Sequence, residues 1–463
     1  MHISLKLLCA SVFILTAMPR ASLKIGPIPV YVIDILLAMT FYYAMQIRPV
    51  YRGKRPFDDF IKIIIFLAVL SELNGMVHFG AILEPAYMLV RTLLAITLFY
   101  SAGRIIRSEA DLYAVIKAGL LGLVITSMLM IMSSLPFTRG IVTSYIFSIQ
   151  FLEPATESTL RMYGDTADAM RGKSLVGVSI LTGAFLNIMW PLAALICNCH
   201  SNKVSKLWRK IALAGCMLAP FGIVMSYSRG AILGLFLVVG GVLFFSSGGS
   251  RRGVIIAALT AVIMFSYIGW DSEVFFFERV QVRTIAMIEN PYESEYETER
   301  LYAYSEPFEH LIENPGFFFV GEGLGADKLA SRGQLGVQRL FDSARAATHA
   351  VFAKAYYTYG MLASLVYMLL VVSGFLYLKD RIRARPKAYM VSNRYAPALF
   401  ASMLGMLPWF VFGHAAVSQP RGAMMFFLLF GLLAALKNLD ATDGQALTNN
   451  KYYAENSRHS SFR

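Results

Sequence analysis

Residues 112–132 read LYAVIKAGLLGLVITSMLMIM, a run from Leu112 to Met132 whose single charge is Lys117. As a helix it rises about 31 Å at ~1.5 Å per residue, which matches the ~30 Å hydrocarbon layer of a bilayer. It has no polar face, so it cannot lie half-buried on a water-facing surface. The rest of the chain has the same character. Of 463 residues, 57% are apolar or aromatic and only 15% are charged, and the mean hydropathy is +0.56. One protein interior cannot hide that much apolar surface, which excludes a soluble enzyme. The net charge of +13 sits in short gaps between apolar runs. That placement argues for anionic lipids as partners and against nucleic acid.

Similar runs at 3–18, 28–47, 60–78, 86–106, 112–132, 174–197, 209–225, 228–246, 253–269, 350–377, 396–416 and 421–437 predict an all-α polytopic membrane protein of about twelve transmembrane helices. The first run lacks a small-x-small cleavage site and reads as a helix, not a signal peptide. The gaps at 48–59, 104–111, 198–210, 247–252 and 378–395 carry 18 Lys or Arg. The short gaps of opposite parity, at 19–27, 79–85, 226–229 and 417–421, carry 4. By the positive-inside rule the first set and both termini are cytoplasmic. The expected organisation is helices one to five with an outer loop over 1–173, helices six to nine over 174–269, and a large outer loop with short helices over 270–349. Helices ten to twelve follow over 350–437, then a polar, disordered cytoplasmic tail over 438–463. Short helices are expected near 300–313, stopped by Asn314-Pro315, and near 335–345.

Arg91, Arg229 and Arg421 lie at or near outward helix ends, where the topology should keep cations scarce. The helices starting near 86, 228, 350 and 421 point their N-termini outward, and an N-terminus disfavours a cation unless an anion is shared there. A diphosphate would be such an anion. Each arginine could instead snorkel to lipid phosphates. His349 stands where the large loop re-enters the membrane, placed to take a proton from a hydroxyl or to bond a backbone carbonyl. His310, beside Glu309, and His414 read as packing or surface residues. The stretch Gly321-Glu322-Gly323-Leu324-Gly325 lacks the Gly-Lys-Ser/Thr of a nucleotide loop and predicts a tight turn. Cys9, Cys197, Cys199 and Cys216 have neither zinc-site nor disulfide-framework spacing. No metal or other cofactor is expected, and arginine is the expected charge partner. No nucleotide is available outside the cytoplasm, so an activated donor there must be carried on a lipid.

Three motifs carry a family resemblance. Ser226-Tyr227-Ser228-Arg229-Gly230, at the start of a helix, resembles the serine-arginine-glycine signature of the O-antigen ligase and O-antigen polymerase superfamily. Asn314-Pro315-Gly316 followed by Gly321, Gly323 and Gly325 is similar to that family's proline-glycine, glycine-x-glycine stretch in its large periplasmic loop. His349, with Gly360 after it, is similar to the histidine that opens the next helix. The resemblance implies a GT-C-like fold and inverting, metal-independent transfer in the periplasm from an undecaprenyl-diphosphate-linked glycan, in the bacterial inner membrane. It implies His349 as the catalytic residue and Arg229 and Arg300 as diphosphate ligands, beside Arg91 and Arg421 from their placement. The acceptor would be another glycan repeat unit or the lipid A core, with polysaccharide export or chain-length proteins as further partners. The chain departs from the family at Ala350 and Thr358, where asparagine and glutamate are common.

A polymerase of O-antigen, capsule or exopolysaccharide is the first reading, supported by the charged outer segment at 133–173. A ligase is the alternative. A transporter of lipid-linked oligosaccharide is a third reading, which would call for mid-depth charges and broken helices.

Overall fold

The computed structural model describes residues 2–25, 28–51, 53–142, 174–176, 179–197, 204–226, 228–245, 295–325, 350–383, 394–413 and 415–460. Helix α1 (Ile3–Ala17) leads into an antiparallel hairpin of β1 (Ser22–Ile25) and β2 (Ile28–Tyr31), in which Leu23 pairs with Val30. Then follow α2 (Val32–Gln46), α3 (Asp58–Phe79), α4 (Leu83–Ile105), α5 (Glu109–Ser134) and the short α6 (Pro136–Ile141). Next come α7 (Ser179–Cys197), α8 (Lys206–Met225) and α9 (Arg229–Phe245), and beyond them α10 (Glu295–Glu313) with a 3-10 turn at Pro315–Phe318. The described chain closes with α11 (Val351–Tyr359), α12 (Met361–Arg383), α13 (Ala396–Phe412), α14 (Ala415–Ser418) and α15 (Pro420–Ser460).

The fold is α-helical, and the expectation of about twelve spans is overturned. Among the described residues six helices are long and apolar enough to cross a membrane: Asp58–His78, Leu83–Ile105, Glu109–Ser134, Lys206–Met225, Met361–Arg383 and Pro420–Thr442. Five further apolar stretches, Ile3–Ala17, Val32–Gln46, Leu181–Cys197, Gly230–Phe244 and Ala396–Val411, are shorter. A 15-residue helix rises only about 22 Å, short of the ~30 Å layer. One cause is visible at the hairpin. The run at 28–47 spends its first residues in β2, so only Val32–Gln46 is helical. The run at 350–377 is cut at Gly360, whose φ of 96° ends α11 before α12 begins, yet α12 alone keeps the length to span. The run at 253–269 and the helix expected near 335–345 lie outside the described residues. With the count gone, a loop between a ninth and a tenth of twelve spans goes too. The tail expected to be disordered continues α15 as helix to Ser460.

Consecutive long helices alternate in direction and give the bundle two ends. At one end Ser108 caps α5 in a reciprocal box with Asp111. Nearby, Tyr395 donates to Glu109 (2.8 Å), the Asn438 amide donates to the carbonyls of Gly103 and Ile106 (2.8 and 2.9 Å), and Arg381 pairs with Asp440 (2.6 Å). Arg48, Arg104, Arg107, Arg209 and Arg383 sit at this basic end, and the hairpin marks the other. The centre is α15: 94% of its apolar window is buried, against 39% for α3. Phe426, Phe427 and Phe430 are fully covered, and Gly431 lets α15 approach α4, since a Cβ there would lie 2.9 Å from Ala102 Cβ. Buried polar groups tie the other helices together. Asn187 of α7 donates to Ala231 O of α9 (2.7 Å), Trp190 to Cys216 O of α8 (3.1 Å), and Thr126 of α5 to Thr16 O of α1 (2.7 Å). Left unpaired in lipid, each would cost several kcal/mol.

Candidate functional site

At the hairpin end, β2 delivers Tyr31 and the first turn of α2 delivers Asp34, both facing α4. Arg91, two turns into α4, is only 4% exposed. Its Nε lies 3.1 Å from Asp34 Oδ2, and its guanidinium carbon lies 4.2 Å from the Tyr31 ring centroid and 5.7 Å from that of Tyr87. Arg421, in the first turn of α15, donates from Nη1 to Val176 O (3.2 Å), and its charge also acts on Asp34. Of the expected arginines, Arg91 is thus paired with the Asp34 carboxylate, and Arg421 is near enough to add a weaker Coulombic attraction. Among the described residues, Asp34 Oδ1 and Arg91 Nη2 are buried without a hydrogen-bond partner. An acceptor and a donor left this way are costly to keep dry, and a bound polar group would satisfy both.

The turn before α9 is built by its serines. Ser226 Oγ donates to Ile223 O (2.6 Å) and accepts the Ser228 amide (3.2 Å), folding the chain back at the end of α8. Ser228 Oγ accepts the Ala231 amide (3.3 Å), the N-cap arrangement that makes Arg229 the first residue of α9. The expected helix start at this motif is present, at the same end of the bundle as Asp34. Arg300 falls within α10. His349 and His414 lie outside the described residues.

The glycine turn is clamped between α3, α4 and α11. The Gly321 amide donates to Ser71 Oγ (3.1 Å), and the Asn74 amide donates to Gly321 O (3.0 Å). The Leu324 and Gly325 amides donate to the two oxygens of Glu72 (2.8 and 3.1 Å). The Glu322 and Gly323 amides donate to Tyr357 O and Thr358 O (2.9 and 3.0 Å). Gly323 has φ 83°, and a Cβ there would stand 2.9 Å from Glu72 Oε2. Gly321 and Gly325 press on the Thr358 and Pro85 backbones, where a Cβ would come within 2.4 and 2.3 Å. Gly316, in the preceding 3-10 turn, meets no such crowding. The turn's free amides are thus filled by a carboxylate of the chain itself.

Helix α10 docks on α11 beside that turn. His310 Nε2 accepts from the Asn314 amide (3.1 Å), so Nδ1 carries the proton and donates to the Tyr356 hydroxyl (2.6 Å). With both ring nitrogens engaged and the Phe317 ring 4.8 Å away, His310 is a packing residue. Burial pushes its pKa down, against a weaker upward pull from Glu313. One turn earlier, burial pushes the Glu306 pKa up, opposed by the Tyr357 hydroxyl and aided by Glu309. Tyr304 donates to Val411 O near the end of α13, which ties α10 to the bundle.

A search for outward cations passes over the carboxylates Asp34, Glu72 and Glu306. For the first two the signal was present: each is a single acid inside an apolar run. Fold and site together define a multi-span membrane protein with a buried arginine–carboxylate centre at one end and a clamped glycine turn beside it. No protein-family model matches the chain, and no curated protein matches it.

Proposed function

We propose that this protein is a periplasmic glycosyltransferase of the bacterial inner membrane. It would take its glycan from an undecaprenyl-diphosphate carrier and add it to another repeat unit, as a polymerase of O-antigen, capsule or exopolysaccharide. The observation that carries the reading is the buried Arg91–Asp34 pair, with the charge of Arg421 near it, at the end of the bundle where α9 starts with Arg229. Arg91 Nη2 and Asp34 Oδ1 are a donor and an acceptor that a phosphate oxygen and a sugar hydroxyl would satisfy. The lipid tail would lie in the bilayer, so the membrane orients the donor, and the arginines stabilise charge on the departing diphosphate. His349 would take the acceptor proton. The lysines and arginines collected at the opposite end support cytoplasmic termini by the positive-inside rule.

The test is purified protein in vesicles with lipid-linked repeat units, with and without lipid A core. A ladder of products is expected from repeat units alone. A single addition that requires lipid A core would make it a ligase, and no transfer in either mixture would end the proposal.

A further inference from the structure

Helix α10 carries more apolar surface than its contact with α11 uses. Going round the helix, Glu306, Pro307 and His310 are buried against the protein, and Tyr304 and Leu311 are partly covered. Next in angle come Phe308 and Ile312, four residues apart, 52% and 83% exposed. Beyond them stand Glu309 and Glu313, exposed and acidic. Phe319, just past the 3-10 turn, is 58% exposed. Three bulky apolar side chains held in water would forfeit the burial energy of each, about 1.5–3 kcal/mol for a full side chain.

What covers them follows from where the patch lies. The 3-10 turn packs against α12, a long apolar helix whose outward stripe is Leu365, Leu369, Val372 and Leu376, all exposed. In a spanning helix such a stripe faces lipid. Tyr304 fixes α10 near the same end of α13. Phe319 stands against Gly360, just before α12, so the patch lies where that lipid-facing stripe begins. At the same end, α6 leaves Phe137 and Ile141 exposed. We infer that α10 lies along the membrane surface at the hairpin end, with Phe308, Ile312 and Phe319 sunk among the upper acyl chains and Glu309 and Glu313 turned to water. The occupant of the patch is lipid, held by apolar burial, since the neighbouring charges on α10 are acidic.

The test places the photo-crosslinking residue p-benzoylphenylalanine singly at Phe308, Ile312, Glu309, Glu313 and, as reference, Leu369, in the full chain reconstituted in phosphatidylcholine vesicles. All five side chains are exposed; Phe308 also stacks on Phe352 (ring centroids 5.5 Å), and the replacement keeps an aromatic ring there. After irradiation, lipid adducts are counted by mass spectrometry. Phe308 and Ile312 should form adducts with yields near that of Leu369 and about fivefold above those of Glu309 and Glu313. Yields at Phe308 and Ile312 no higher than at Glu313, with Leu369 labelled, would overturn the inference.

Discussion

The Arg91–Asp34 pair is nearly dry, with side chains 5% and 12% exposed, so removing either partner strands a charge. Asp34→Ala should lower stability by about 3–5 kcal/mol, and Arg91→Met added to it should recover most of the loss. Thermal unfolding of both single variants and the double variant in detergent checks the cycle; additive losses would show that the two side chains do not act as a pair. Arg229→Ala should lower glycan transfer by about 10²-fold or more while the protein stays folded. Transfer near the wild-type rate would remove Arg229 from the reaction. Glu306 and His310 respond to pH in opposite senses. The His310 pKa is lowered, so its contribution is complete above its ordinary value of 6.5 and is lost as pH falls through the folded value. The Glu306 pKa is raised, so its contribution holds below the ordinary 4.5 and is lost as pH rises through the folded value. At neutral pH the Glu306 penalty is in force. Glu306→Gln should therefore tighten the docking of α10 at pH 7 and leave it more sensitive to acid, since only the His310 response remains. Hydrogen exchange of α10 at pH 7 and pH 5 reads both effects. At this scale the exceptional arginines could be read from hydropathy alone. Their approach to Asp34 could not, because Arg91 and Arg421 are brought near it by packing across most of the chain.

Among the elements, the glycine turn shows how local rules and distant contacts divide the work. Its turn character follows from its glycines. Its anchoring depends on Ser71, Glu72 and Asn74, which no local reading connects to it. Glu72→Ala deletes two charge-assisted bonds, to the Leu324 and Gly325 amides, and should weaken the docking of this segment by about 3 kcal/mol. Gly323→Ala meets both an unfavourable φ and the Glu72 carboxylate, and should cost about 1–2 kcal/mol. Limited proteolysis around 314–325 should speed up in both variants, and unchanged cleavage would show that the clamp carries no stability. Helices were legible where apolar runs are long and start on a cap, as α5 does at Ser108. The number able to span was not, because hydropathy does not register a strand such as β2, which shortens the helix that follows it.

For the whole molecule, a reporter fused near residue 300 should read as outside the cytoplasm, and a cytoplasmic signal would reverse the orientation drawn from the basic end. The collection of basic residues in short gaps was legible in counts of charge; which compartment they face is what the reporter reads. The depth of α15 was not, since its sequence is no more apolar than that of α12. That depth has a consequence for biogenesis. The hub of the bundle emerges from the ribosome after every described helix it packs against, so the earlier segments must wait in the lipid around an unfilled cleft. Until Phe426, Phe427 and Phe430 arrive, the face of α4 that α15 covers is left to lipid.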